Sequence, residues 1–435
     1  MSNVSQFVEN KILPAAGRVA GQRHLQALRD GIILTMPLLI IGSLFLIISS
    51  LPIPGYADFM ARTFGASWQT KLLYPVNASF NIMALIAAFG IAYRLAEKYN
   101  VDALSAGAIS VAAFVLATPY FTMFTPLGAK TAIEVDGVLS LSYLGSKGLF
   151  VAMILAILST EIYRFIVQKN IVIKLPDGVP PSVSKSFIAL IPGFVVIAVV
   201  WILRLLVEQT SFGSLHNVVG TLLQGPLSAF GGSLIGTLVI VLLLQLLWTV
   251  GLHGAAIVGS VMGPVWLAAT DANRIAFQNH EALPHVFTQP FFDIFIYMGG
   301  SGATITFALM MVFFSKSQQA KQLGRLAIAP GIFNINEPIV FGAPIVMNPL
   351  LMIPFILTPL VTTIVTYIAM HTGLVPKTNG TLPPWTTPPI IGGFLATGSI
   401  VGSLMQLINL AIGFVIYFPF FKIWDKQNLK MEKGA

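Results

Sequence analysis

The run Phe333-Asn334-Ile335-Asn336-Glu337-Pro338 contains the one formal charge found between Arg325 and Lys377. Apolar sequence flanks it, Leu326-Ala327-Ile328-Ala329 upstream and Leu350-Leu351-Met352-Ile353 and Ile364-Val365 downstream. A carboxylate at bilayer depth costs roughly 2.5–3.5 kcal/mol on insertion scales, so it normally faces a pocket or a partner. Pro330-Gly331, Pro338 and Gly342 interrupt a smooth spanning helix. Non-helical backbone at that depth is tolerated only where protein or a water-filled cavity solvates it. A buried acid on a broken segment is what a transport site for a polar solute needs. The plainer alternative is an acid at a cytoplasmic helix end that only looks buried.

Working outward, the composition sets the class. Of 435 residues, 56% are hydrophobic and 9% charged, against roughly 25% charged in soluble domains. Uncharged windows long enough to span at ~20 residues recur along the chain. Residues 31–50, 74–93, 104–126, 148–163 and 187–203 each read as a single crossing. No formal charge falls between Glu208 and Asp271, a stretch too long for one crossing. Residues 294–315, the Glu337 region and the uncharged run 378–421 follow. The reading is an all-α polytopic membrane protein with about ten transmembrane helices, plus re-entrant pieces where Gly and Pro crowd apolar sequence.

Basic residues give the orientation. With the amino terminus inside, the cytoplasmic set is Lys11, Arg18, Arg23 and Arg29; Arg94 and Lys98; Arg164, Lys169, Lys174 and Lys185; Lys316, Lys321 and Arg325; and Lys422, Lys426, Lys430 and Lys433. That is 17 of the 24 Lys and Arg residues, so both termini are expected in the cytoplasm. The net charge of +8 then reflects topology and calls for no nucleic-acid partner.

Residues 1–30 are too polar for a secretory signal. Val4, Phe7, Val8 and Ile12 recur at helical spacing, which predicts an amphipathic helix at the membrane surface. Residues 31–210 give regular, separable spans, a scaffold. Residues 211–421 are dominated by interrupted helices, and 422–435 form a cytoplasmic tail. In this later part glycines crowd at Gly231-Gly232, Gly236, Gly251, Gly254, Gly259 and Gly263, and again at Gly299-Gly300-Ser301-Gly302 and Gly392-Gly393. Glycine lets backbone approach backbone or ligand, and broken helices near the midplane are where transporters hold substrate. No repeat relates the two halves. The loop at residues 170–187 has an extended path fixed by its prolines. It either connects two spans or docks a soluble partner.

Two further positions belong with Glu337. His253, in Gly251-Leu252-His253-Gly254, is either a helix–helix hydrogen bonder or a group that donates to a sugar hydroxyl or helps a proton leave one. Trp385 lies in Leu382-Pro383-Pro384-Trp385-Thr386-Thr387-Pro388-Pro389, which cannot be regular helix. It is either an interface anchor or an indole face for the C–H side of a sugar ring. The chain has no cysteine, which excludes a disulfide, a thiolate metal site or a cysteine nucleophile within it. No Walker loop or acid cluster for a metal appears, so neither cofactor nor metal is expected.

Together His253 in its glycine setting, Asn336-Glu337-Pro338-Ile339, Lys174-Leu175-Pro176-Asp177 and Gly299-Gly300-Ser301-Gly302-Ala303-Thr304 give the chain its resemblance. It resembles the lactose/cellobiose/diacetylchitobiose family, the membrane (IIC) component of the phosphoenolpyruvate-dependent sugar phosphotransferase system (PTS). The likeness runs from Gln22-Arg23-His24 to the last span. It implies a glucose-superfamily-type homodimer with ten transmembrane helices and two re-entrant hairpins per protomer, in the bacterial cytoplasmic membrane. The early spans would dimerise, and the later part would carry a β-linked disaccharide inward by an elevator-like displacement. The phosphoryl donor would be a phosphocysteine on a separate IIB component, with IIA upstream, and the missing cysteine fits that division. By the same resemblance Glu337 matches the acid on the hydroxyl to be phosphorylated, Asn336 a sugar-binding amide, His253 the histidine near that hydroxyl and Trp385 the stacking aromatic. Trp248 and Asp293 look like pocket-lining residues. The sugar expected first is cellobiose, ahead of lactose, diacetylchitobiose and aryl β-glucosides. Two other classes use the same features: a proton-coupled symporter with Glu337 as proton carrier, and a channel or structural protein that uses its glycines for packing alone.

Overall fold

The computed structural model describes residues 18, 21–51, 53–126, 131–176 and 178–434. The expected amphipathic helix on Val4, Phe7, Val8 and Ile12 lies outside the described residues, as do Lys130 and Asp177. The described chain is mostly helical and forms two compact units, residues 21–42 with 75–228, and residues 43–74 with 229–434.

Among the described residues, seven helices are long and apolar enough to cross a membrane. They are Arg23–Ser49, Trp68–Lys98, Ser146–Gln168, Pro181–Glu208, Gly254–Gln278, Pro349–His371 and Ile400–Lys433, and the broken pair Leu215–Gly232 with Leu234–Thr249 makes an eighth if counted as one. Ala103–Ala117 and Ile305–Phe314 are apolar but shorter. The chain is therefore a multi-pass membrane protein.

The first unit is held by small residues. Ala84, Ala87, Ala88, Ile91 and Ala92 of the helix Met83–Lys98 are fully buried. A Cβ on Gly90 would lie 2.8 Å from the Gly31 carbonyl oxygen, so the two helices touch backbone to backbone. Close approach of this kind is how membrane helices gain packing without a hydrophobic driving force between them. At one end of this unit Glu161 accepts from His24 at 2.8 Å, from Arg164 and from the Tyr99 hydroxyl, while Arg23 and Arg164 lie over the Tyr99 ring.

Two sequence expectations are corrected in this unit. The window 104–126 is not one crossing: its helix ends at Ala117, because Thr118 precedes Pro119 and takes an extended conformation at φ −85°, ψ 136°. A residue before proline is pushed out of the helical region. The chain then makes a two-stranded antiparallel hairpin, β1 (Phe121–Phe124) on β2 (Ile133–Asp136), with Phe121 opposite Asp136 and Phe124 opposite Ile133. The fold is thus not purely α. Residues 173–176 have no regular structure, and the next helix starts with Pro181 in its first turn, where a missing N–H costs nothing. A cavity of about 740 Å³ lined by Tyr143, Lys147, Arg204, Glu208 and His216 lies here, and none of the six candidate site residues borders it.

The second unit contains the broken backbone, and buried polar side chains satisfy it. The window 294–315 is a second correction of the same kind. It divides into a π-helical turn Phe291–Ile296, a tight glycine turn and the helix Ile305–Phe314. Gln406 donates to the Ile294 carbonyl (2.7 Å) and accepts from Ile390 N (2.7 Å) and Gly393 N (2.6 Å). Asn409 donates to the Phe295 carbonyl at 3.1 Å and to Thr366 at 2.8 Å. One face of the carboxy-terminal helix thereby supplies the partners that an irregular apolar segment lacks. Further along that helix, Asp425 accepts from Lys316 N (2.9 Å), Ser317 N (3.1 Å) and the Ser315 hydroxyl. Glu432 accepts from the Ser317 hydroxyl (2.6 Å), Gln318 N (3.1 Å) and Gln319 N (2.7 Å). These two acids cap the start of the helix Gln318–Ile332, which leads into the Asn336–Glu337 turn.

Candidate functional site

The turn at residues 299–303 depends on left-handed backbone. Gly299, Gly300 and Gly302 have φ of 78°, 90° and 82°, and Ala303 joins them at 53°. At Gly302 a side chain would run into the Phe355 ring. At Gly300 a Cβ would fall 2.5 Å from Asn336 Cγ. Glycine here is a steric requirement of the Asn336 side chain. In return, Asn336 Nδ2 donates to the Ser301 carbonyl at 2.6 Å.

Asn336 is buried (4% exposed) and precedes the helix Glu337–Gly342, which has Pro338 in its first turn. Here the sequence expectation needs correction. Glu337 is exposed, not buried. As the first helical residue it points away from the packed side of the turn, and its carboxylate sits where the helix dipole favours negative charge. The apolar residues around it in sequence pack elsewhere: Ile339, Val340 and Ile345 are buried.

Asn334, which the sequence reading passed over, ties this turn to two others. Its Oδ1 accepts from Gly299 N at 2.7 Å, and its Nδ2 donates to the carbonyls of Trp385 (2.5 Å) and Thr387 (3.2 Å). Trp385 is half exposed, at 48%. It sits in a local turn closed by Thr387, whose N–H and hydroxyl both donate to the Pro384 carbonyl. Asn336, Glu337 and Trp385 are therefore brought to one place.

His253 and Trp248 form a second group. Their rings lie 4.5 Å apart, with Trp248 buried and His253 exposed. His253 caps the helix Gly254–Gln278, its Nδ1 accepting from Ala256 N at 3.1 Å. An Nδ1 that accepts leaves the proton of the neutral ring on Nε2, as a donor. This group joins the far end of the Glu337 segment: Met347 N donates to the Thr249 carbonyl at 2.9 Å, and a Cβ on Gly251 would touch Val346. Asp293 stands on a separate element, the π-helical turn Phe291–Ile296, where Gln289 Nε2 donates to it at 2.9 Å.

Arranged this way, the second unit offers an exposed carboxylate, a buried amide, an indole face and an imidazole donor on irregular backbone. That set suits the binding of a hydroxyl-rich solute. The family model described as "Phosphotransferase system, EIIC" matches residues 29–359. The chain is 65% identical over 433 residues to the lichenan permease IIC component of Bacillus subtilis (strain 168), covering 99% of this chain and 96% of that one. It is 64% identical to the PTS system cellobiose-specific EIIC component of Geobacillus stearothermophilus, covering 100% and 97%. Among solved structures, the transporter ChbC, the IIC component from the N,N'-diacetylchitobiose-specific phosphotransferase system, superimposes with a TM-score of 0.95. That protein is 60% identical, and the match covers 99% of this chain and all of the other. This chain belongs to the phosphotransferase system EIIC family, the membrane permease components of that sugar-uptake system.

Proposed function

We propose that this chain carries a β-linked disaccharide, cellobiose first among them, across the bacterial cytoplasmic membrane and presents it for phosphorylation by phosphorylated IIB. The observation that carries this reading is the meeting of Asn336, Glu337 and Trp385 through the turns at 299–303 and 384–387. The names of the relatives, cellobiose and lichenan permeases and a diacetylchitobiose transporter, supply the sugar class.

The indole of Trp385 takes the C–H face of one sugar ring, and Asn336 and Glu337 take its hydroxyls. At the phosphorylation step Glu337 accepts the proton of the attacking hydroxyl. A new O–P bond forms, the S–P bond to the IIB cysteine breaks, and the thiolate leaves with IIB. The Nε2–H of His253 donates to the transferring phosphoryl oxygens. IIA recharges IIB. The protein works as a homodimer with both termini in the cytoplasm. Ten crossings per protomer would draw on the long helices, the broken pair and the two shorter apolar helices of the fold. Residues 31–210 serve as the dimerising scaffold, and 211–421 as the part that moves with the sugar. Membership of a phosphotransferase family argues against the symporter alternative.

The test is a binding panel on purified protein with cellobiose, lactose and N,N'-diacetylchitobiose. Cellobiose should bind tightest. Tighter binding of either other sugar would overturn the substrate, and no binding of any would overturn the site. Discrimination by more than about tenfold is expected only where the wrong sugar leaves a pocket amide or carboxylate unpaired.

His253 can be separated from the sugar-binding groups. His253→Gln should cut the rate of cellobiose phosphorylation by phosphorylated IIB on the order of a hundredfold. Equilibrium cellobiose binding should change by less than about threefold, because interactions made only in the transition state appear in turnover and not in affinity. Equal losses in both would make His253 an ordinary sugar ligand.

A further inference from the structure

Asn334 is 7% exposed and holds a left-handed backbone at φ 62°. Its primary amide makes three hydrogen bonds. They reach Gly299, 35 residues away, and Trp385 and Thr387, 51 and 53 residues away. Both halves of the amide are needed, an acceptor for the Gly299 N–H and donors for the Trp385 and Thr387 carbonyls. Asparagine is also among the few non-glycine residues that visit the left-handed region readily. No side chain other than asparagine meets the backbone and both hydrogen-bonding demands at this length. The loop that carries Trp385 closes locally through Thr387 and Pro384, but that closure fixes only its shape. Leu382 N and Ile390 N anchor its two ends to Ser43 Oγ (2.8 Å) and Gln406 Oε1 (2.7 Å), and Asn334 bonds the Trp385 stretch between them to the Asn336–Glu337 turn.

We infer that Asn334 is a positioning residue that pins the Trp385 loop to the Asn336–Glu337 turn and thereby sets the affinity for the disaccharide. It touches no sugar itself. The inference rests on the reading of Trp385 as the stacking residue, and the experiment below separates the two.

Two substitutions probe it. Asn334→Asp keeps the size, the left-handed preference and the acceptor for Gly299, but turns the donor toward Trp385 and Thr387 into a carboxylate oxygen facing two carbonyls. Asn334→Gly keeps the backbone freedom and removes all three bonds, which provides a second readout if the aspartate disturbs folding. Because the natural chain has no cysteine, Thr386→Cys carries a single nitroxide label on the loop itself. In sugar-free protein, either Asn334 substitution should narrow the label's spectrum to that of a mobile loop. An unchanged spectrum would overturn the inference. In parallel, cellobiose binding should weaken about tenfold on Asn334→Gly, the effect of losing one to two net hydrogen bonds. In a Trp385→Ala background the same change should cost less than about twofold, since neighbours acting through one another are not additive. Equal cost in both backgrounds would overturn the route through Trp385. If Trp385→Ala alone bound cellobiose normally, the stacking reading would fall, and with it the claim on affinity. The label spectrum would still decide whether Asn334 holds the loop.

Discussion

Glu337→Gln should reduce phosphorylation of cellobiose by phosphorylated IIB to below about one hundredth of the natural rate, the size of a lost general base. The protein should still insert and keep its size-exclusion profile. Two magnitudes make this separation clean. The carboxylate in the first helical turn contributes only about 0.3–1 kcal/mol through the helix dipole, and as an exposed side chain it fills no packed space. The fold therefore loses little. On the proposed mechanism, the chemistry loses the acceptor for the hydroxyl proton. Sugar binding should weaken about tenfold at most, because the amide keeps one acceptor oxygen and forfeits only the charge that strengthens its hydrogen bond. Near-normal phosphorylation by this variant would remove Glu337 from the reaction.

The second large effect concerns the source of energy. Vesicles containing only this chain, with labelled cellobiose on both sides and an imposed proton gradient, should show exchange and no uphill accumulation. Sugar phosphate should accumulate, by an order of magnitude or more over free sugar, once phosphorylated IIB is added on the cytoplasmic side. The chain has no cysteine to carry a phosphoryl group and no nucleotide-binding loop, so on the proposed reading the phosphoryl group that drives accumulation comes from a partner. Accumulation of unmodified sugar driven by the proton gradient would reverse this and make Glu337 a proton carrier.

What could be read in advance follows from what hydropathy measures. The glycine run at 299–302 and the Asn336–Glu337 pair were legible because polar and small residues inside apolar sequence are conspicuous. Their mutual contact was not, since Gly300 meets Asn336 across 35 intervening positions that no periodicity links. Glu337 looked buried because its sequence neighbours are apolar, yet Ile339 and Val340 face inward and the carboxylate does not. The window 104–126 read as one crossing because no charge breaks it. The Thr118-Pro119 step ended the helix all the same, since hydropathy carries no information on backbone dihedrals. Asn334 was hidden for the opposite reason. An asparagine two positions before Asn336 and three before Glu337 draws no attention, and its role exists only in the folded chain.

The caps on the helix Gln318–Ile332 have an electrical consequence. The amino end of a helix is a positive pole and a ready receptor for phosphate, because its first N–H groups have no partner within the helix. Here the N–H groups of Ser317, Gln318 and Gln319 already point at Asp425 and Glu432. The pole is partnered from within the molecule by two carboxyl side chains. A phosphate at that end would find these N–H groups already taken. The helix that leads to the Asn336–Glu337 turn thus has its amino-terminal N–H groups at residues 317–319 closed to an outside anion from within the fold.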